Sequence, residues 1–175
     1  KILKSIGWFA ILLLLSLLLA ALFAPRENSF ENNTTIEAPA EIVSPLIADL
    51  NNWEKWDPWF QQDRAQFRSV SPYNNSRESS LNWTSKKGKL GRGKVVLTQL
   101  DSLTYKFRIE PKTKYWSKHA TGSIIINEVK ESTSINWVVS SRLNYPLNFL
   151  HYFTNKWFGE QYKNGLTTLK QIAEE

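Results

Sequence analysis

The hydrophobic pattern divides the chain into three regimes. From Ser5 to Pro25 there is no charged residue, and Ile6 to Ala24 is nearly all Ile, Leu, Ala and Phe. At about 1.5 Å per residue, a helix of that length spans roughly 30 Å, the hydrocarbon thickness of a bilayer. Residues 1–25 therefore read as a transmembrane anchor, with residues 5–25 as the membrane contact. Trp8 suits the interfacial belt, and Lys1 and Lys4 place the N-terminus in the cytoplasm by the positive-inside rule. Arg26 on the other flank is joined by Glu27 and Glu31, so the rest of the protein is expected on the extracytoplasmic side of a single-pass chain. The rival reading is a cleaved signal peptide. Its apolar region is shorter, about 7–15 residues, with a small-x-small cleavage site that Leu22 and Ala24 fit poorly.

The second regime has period two. Residues 26–33 read as a polar linker running into a strand, in which Phe30, Asn32, Thr34 and Ile36 share one face. A short helix after Pro39 carries Ile42, Val43, Leu46, Ile47 and Leu50 inward, with Pro45 as a point of late start or kinking. Trp53 to Phe60 reads as a second short helix or a turn, stopped by Asp57-Pro58. Alternation then resumes at Leu81 and Trp83; the turn segment Ser85 to Gly93 is followed by Lys94–Leu100, the clearest strand is Leu103–Ile109, and further strands cover about Ala120–Val129 and run through Ile135, Trp137 and Val139. Strands at short intervals with tight turns predict an antiparallel sheet. The third regime is helical. It opens at Pro146, with Leu150, Phe153 and Trp157 on one stripe and Phe158, Tyr162, Leu166, Leu169 and Ile172 on another. Gly159 and Gly165 cost helix propensity, which points to a bend or a close backbone approach.

Composition narrows the chemistry. The chain has 175 residues, 42% of them hydrophobic and 13% aromatic, with no Cys and a net charge of +6. The absence of Cys removes disulfides, thiol catalysis and cysteine-ligated zinc. Without Lys1, Lys4 and Arg26 the balance is 19 basic to 16 acidic residues, too mild for a nucleic-acid-binding face.

Several blocks carry a resemblance. They are Ile36-Glu37-Ala38-Pro39-Ala40-Glu41, the run Asp49 to Trp59, and Trp83 with Gly91-Arg92-Gly93. Trp137, Tyr145-Pro146, Gly165-Leu166 and Leu169-Lys170 follow. With the element order, they make the region from Phe30 to Glu174 similar to the SRPBCC (START-like, helix-grip) superfamily, in its polyketide cyclase/dehydrase-like branch, many of whose members also carry a single membrane helix in front. The resemblance implies an α+β helix-grip fold for residues 30–175: a curved antiparallel β-sheet wrapped around a long C-terminal α-helix, with a cavity between them for a lipid or other apolar small molecule. It implies no shared catalytic motif, so the alternatives stay open: a binding domain, a cyclase or dehydratase on an apolar substrate, or a structural interaction module.

The expected cavity lining is Trp59 and Phe60 at the mouth, with Trp83, Tyr105, Phe107, Trp137, Phe149, Phe153 and Trp157 inside. Packing alone accounts for such rings equally well, since each buried side chain of this size contributes roughly 2–3 kcal/mol. His119 and His151 have no partner at metal-ligand spacing, so neither a metal nor a cofactor is expected. No paired carboxylates or nucleophile context is recognisable. Lys86, Lys87, Lys89, Arg92 and Lys94 form either a solvated hairpin or a contact for anionic headgroups, each worth about 1 kcal/mol near a charged surface. Three glycosylation-type triplets begin at Asn33, Asn74 and Asn82, a pattern frequent by chance.

Overall fold

The computed structural model describes residues 1–74, 77–85, 91–112 and 119–175, with the side chains of residues 154 and 155 excepted. Lys86, Lys87, Lys89 and the Asn74-Asn75-Ser76 triplet beyond its first residue lie outside this set. The N-terminal regime is one helix, α1 (Ile2–Phe23), with a mean hydropathy of 2.7. Its length and composition suffice to cross a membrane, and most of its apolar side chains face outward from the protein.

Seven strands follow: β1 (Glu27–Ile36), β2 (Phe67–Ser71), β3 (Glu78–Thr84), β4 (Arg92–Gln99), β5 (Thr104–Pro111), β6 (Ala120–Val129) and β7 (Ser132–Arg142). They form one antiparallel sheet in the order β1-β7-β6-β5-β4-β3-β2. Between β1 and β2 come α2 (Ala40–Ala48), α3 (Trp53–Trp56) and α4 (Pro58–Gln62). A 3-10 turn (Leu147–Leu150) leads into α5 (His151–Glu174).

The period-two reading holds on β5 and β7, whereas β4 buries the consecutive Val95, Val96 and Leu97. On β5, Tyr105 and Phe107 are buried while Lys106 and Arg108 are exposed; on β7, Thr133, Ile135, Trp137 and Val139 are buried in alternation. The inward residues of β5, β6 and β7 and the last three turns of α5 (Tyr162, Leu166, Leu169, Ala173) share one core with Val43, Ile47, Trp53 and Trp56. The chain is thus a helix-grip fold, with α5 in the hollow of the sheet.

Two expectations are corrected. The segment 26–33 is not a linker: β1 begins at Glu27 and pairs with β7 from Glu27↔Arg142 to Ile36↔Thr133. Its polar residues are tolerated because β1 is an edge strand whose outer face meets solvent. Pro45 neither delays nor ends α2, which runs through it to Ala48. The short strand β2 had no signal in the pattern, because an edge strand reading Phe-Arg-Ser-Val-Ser carries one half-buried apolar residue, Val70, while Phe67 is exposed.

Candidate functional site

The tryptophans after α2 are held by that helix's own end. The last carbonyls of any helix lack internal partners. Trp53 Nε1 donates to the Ile47 carbonyl (2.8 Å) and Trp56 Nε1 to that of Leu46 (2.9 Å), while Asn52 Nδ2 donates to that of Pro45 (3.1 Å). Both rings are thereby satisfied and enter the core, where they begin a chain of edge and tilted contacts. Trp53 meets Trp56 at 5.3 Å and Phe107 at 6.2 Å; Trp56 meets Trp137 at 5.4 Å, and Trp137 meets Tyr162 of α5 at 5.0 Å. Such pairs add about 0.5–1.5 kcal/mol each beyond burial. Gly165 lets α5 close on this stack, since a Cβ there would lie 2.8 Å from Pro58 Cδ and 3.3 Å from the Trp137 ring. The region between sheet and α5 is filled with rings.

Asp57 closes the same region from below. Its Oδ1 caps α4, accepting from the N–H groups of Trp59 (3.0 Å) and Phe60 (3.2 Å). Burial pushes its carboxyl up to about 7, against the lowering effect of those two hydrogen bonds. Burial and the nearby Asp57 also push the Tyr162 phenol up.

Open space lies elsewhere on the concave face. Between α2 and the strands β2 to β5 runs a groove of about 620 Å³ lined by Ser44, Pro45, Ala48, Asp49, Asn51, Val70, Pro72, Tyr73, Ser79, Gln99 and Tyr105. A second hollow of about 420 Å³ shares Asn51 and Val70 with it and continues past Leu50, Glu54, Gln66, Arg68 and Leu81. The walls come from α2 and from the segment around β2, bridged by the Tyr73 hydroxyl, which donates to the Ala48 carbonyl (2.8 Å). Burial, with Tyr105 and Asp49 nearby, pushes the Tyr73 phenol up to about 12, so it stays a donor. The Tyr105 and Ser44 hydroxyls pair at 2.9 Å. An ion pair between Glu54 of α3 and Arg68 of β2 spans the second hollow. Gln66 is 6% exposed, and neither end of its amide has a hydrogen-bond partner within the protein. The arrangement provides apolar walls with hydroxyl and amide groups at a few points, as small-molecule sites usually do.

The sequence profile described as "Polyketide cyclase / dehydrase and lipid transport" matches residues 28–174. The chain belongs to this family. A comparison with curated proteins returned no match. Among solved structures, the di-domain ARO/CYC BexL from the BE-7585A biosynthetic pathway is similar at a TM-score of 0.67 and 14% identity, covering 90% of this chain and 53% of BexL. The present chain thus spans about half of that protein. TTHA0849 from Thermus thermophilus is similar at 0.62 and 17% identity, over 83% of this chain and 97% of its own. The Zhui aromatase/cyclase from Streptomyces sp. R1128 is similar at 0.58 and 12% identity, over 85% and 94%.

Within this family fold the nine expected lining rings part ways. Tyr105 lines the groove. Phe60, Phe107 and Trp137 are buried in the core, Phe60 beneath the Arg68 guanidinium at 5.9 Å. Trp83 is half-buried and lies over Gly93, its partner across β3 and β4, where a Cβ would fall 2.3 Å from the ring. This close approach accounts for the second glycine of Gly91-Arg92-Gly93. Trp59 packs on Trp157 (5.4 Å), Phe158 (5.6 Å) and Tyr162 (6.1 Å), and Phe149 on Phe153 (6.3 Å). Phe153 and Trp157 are exposed. Sequence reasoning missed Gln66 and Tyr73, because no periodicity marks the segment they occupy.

Proposed function

We propose that this domain is a membrane-anchored binder of an apolar small molecule or lipid, and that the guest lies in the groove between α2 and β2–β5. The observation that carries this reading is the groove itself. Its volume of about 620 Å³ falls within the usual range for small-molecule sites, roughly 300–1,000 Å³. Pro45, Ala48, Val70 and Pro72 offer apolar wall, and burial of a guest against it contributes about 25 cal/mol per Å² of apolar surface. Ser44 and the acceptor oxygen of the Tyr73 hydroxyl, whose proton goes to the Ala48 carbonyl, offer polar points that favour a guest carrying a hydroxyl group. The mechanism is sequestration, without covalent chemistry.

In the same reading α1 spans the bilayer with Lys1 and Lys4 in the cytoplasm and the domain outside. Strand register supports a place for the cations Arg92 and Lys94. Glu27 pairs with Arg142, Ser141 with Ala120, Ala120 with Ile109 and Glu110 with Lys94. Arg92 and Lys94 therefore share the sheet end at which α1 hands over to β1, within reach of anionic headgroups.

Native mass spectrometry of the full chain released from detergent micelles tests the groove. The wild-type protein should carry a co-purified apolar adduct, and Val70→Trp, which places a large ring at the residue shared by the two hollows, should lose it while remaining folded. Retention of the adduct by Val70→Trp, or no adduct on either protein after exposure to membrane lipid extract, overturns the reading.

A further inference from the structure

The beginning of α5 is built unlike its remainder. Tyr152 is 60% exposed, Phe153 71% and Trp157 46%, with the cationic Lys156 exposed among them. From Tyr162 onward the same helix buries its rings and aliphatics and exposes Lys163, Asn164, Thr167 and Gln171. The place of these rings in the molecule follows from the direction of α5. The helix runs alongside β1, with Phe158 at 6.1 Å from Phe30, Lys170 Nζ donating to the Thr35 carbonyl (2.7 Å) and Glu174 accepting from the Glu37 N–H (2.7 Å). Its first two turns therefore project past Phe30 toward Glu27, where α1 ends.

That end is tied to α5 directly. Asn148, buried in the 3-10 turn that opens α5, donates through Nδ2 to the carbonyls of Ala21 (2.7 Å) and Ala24 (2.8 Å). These carbonyls belong to the end of α1, where a helix has no internal donors left. The Leu143 N–H donates to the Arg26 carbonyl (2.8 Å), fixing the end of β7 at the same point. The exposed rings are thus held beside the exit of α1, with Phe23 at that exit also turned outward.

We propose that the first two turns of α5 lie in the lipid headgroup region of the leaflet from which α1 emerges, with Tyr152, Phe153 and Trp157 as interfacial anchors. The inference rests on the reading of α1 as a membrane span. Given that span, the ring-bearing turns can leave the interface only by breaking the Asn148 bonds. Aromatic side chains beside an exposed cation have the composition of an interfacial helix face. The consequence is a domain clamped to the membrane surface at two places instead of swinging on a tether, so that its groove keeps a set height above the lipid.

The chain contains no cysteine, so single-cysteine variants give clean probes. Phe153→Cys, Tyr152→Cys, Lys163→Cys and Leu12→Cys are each labelled with an environment-sensitive fluorophore and reconstituted as full chains in phosphatidylcholine liposomes containing nitroxide-bearing lipids. The labels at 152 and 153 should lose emission to nitroxides near the headgroup, the label at 12 to nitroxides deep in the acyl chains, and the label at 163 to neither. If the label at 12 is quenched while those at 152 and 153 behave like that at 163, the interfacial proposal is overturned and the span stands. If the label at 12 escapes quenching, the span reading itself fails and takes the proposal with it.

Discussion

The concave face of the sheet is used in two ways. Beneath α5, rings from α3, β5, β7 and α5 interlock, and Gly165 is required to bring the helix close enough. Beneath α2, the same sheet carries Val70, Ser79 and Gln99 and leaves a groove. Both halves are lined from strands with the same inward alternation. They differ in what crosses over them: a 24-residue helix with Tyr162, Leu166 and Leu169 aimed at the strands, against a nine-residue helix whose buried Val43 and Ile47 belong to the shared core and whose other edge, Ser44, Pro45 and Ala48, is short and small. Filling depends on the volume each crossing element delivers: this edge of α2 meets the strands through the Ser44–Tyr105 hydroxyl pair, and its small side chains leave the space beside that pair open.

The comparison is broken most severely on the filled side. Leu166→Ala should cost about 2–5 kcal/mol, because a tightly packed site collapses little around a cavity. Denaturant unfolding in detergent micelles measures this; a loss well under 1 kcal/mol would mean that the region beneath α5 is looser than its contacts indicate.

Asp57, under the packed stack, adds a pH signature. Its carboxyl titrates near 3.8 when unfolded and at about 7 when folded. The folded state therefore holds the proton more tightly between these values. The stabilisation is complete below about pH 4 and is lost as pH rises through 7. At about 1.4 kcal/mol per pH unit, the interval bounds the effect at about 4 kcal/mol. Asp57→Asn keeps an oxygen for the Trp59 and Phe60 N–H groups but cannot ionise. Melting temperatures of the variant should match the wild type near pH 4 and exceed it at pH 8. Parallel pH profiles for the two proteins would contradict the assignment.

The smallest and sharpest contrast comes from adding volume to each side. Gly165→Ala adds one methyl against Pro58 and Trp137 and should cost about 1–3 kcal/mol, as overpacking does. Ala48→Leu adds three carbons facing the groove and should stay within about 0.5 kcal/mol of wild type, as substitutions away from packed features do. Equal losses in thermal melts of the two variants would erase the distinction between filled and open halves.

Much of this was legible in the residues themselves. The apolar run of α1, the alternation of β5 and β7 and the offset stripes of α5 are local patterns, each fixed by the period of its own backbone. With the blocks around Pro39, Trp53 to Trp59 and Trp137, they led to the family and the helix-grip fold. Edge strands were harder to read: β1 starts inside what looks like a polar linker, and β2 carries almost no apolar signal, because an edge strand need not bury both faces.

The site was beyond reach of pattern alone. An inward-facing ring is compatible with lining a space and with filling it, and Phe107, Trp137 and Tyr105 look alike in sequence. Which of them meets a partner ring and which meets a groove depends on how far α5 and α2 approach the sheet, a sum over side-chain volumes from segments far apart in the chain. The same holds for Phe153 and Trp157. Their helical spacing is that of a core stripe, and only the placement of α5 along β1, with Asn148 fastened to the end of α1, turns that stripe outward. Local periodicity determined the elements; the distances between them, set by packing, decided where the molecule is solid, where it is open and which rings are left exposed.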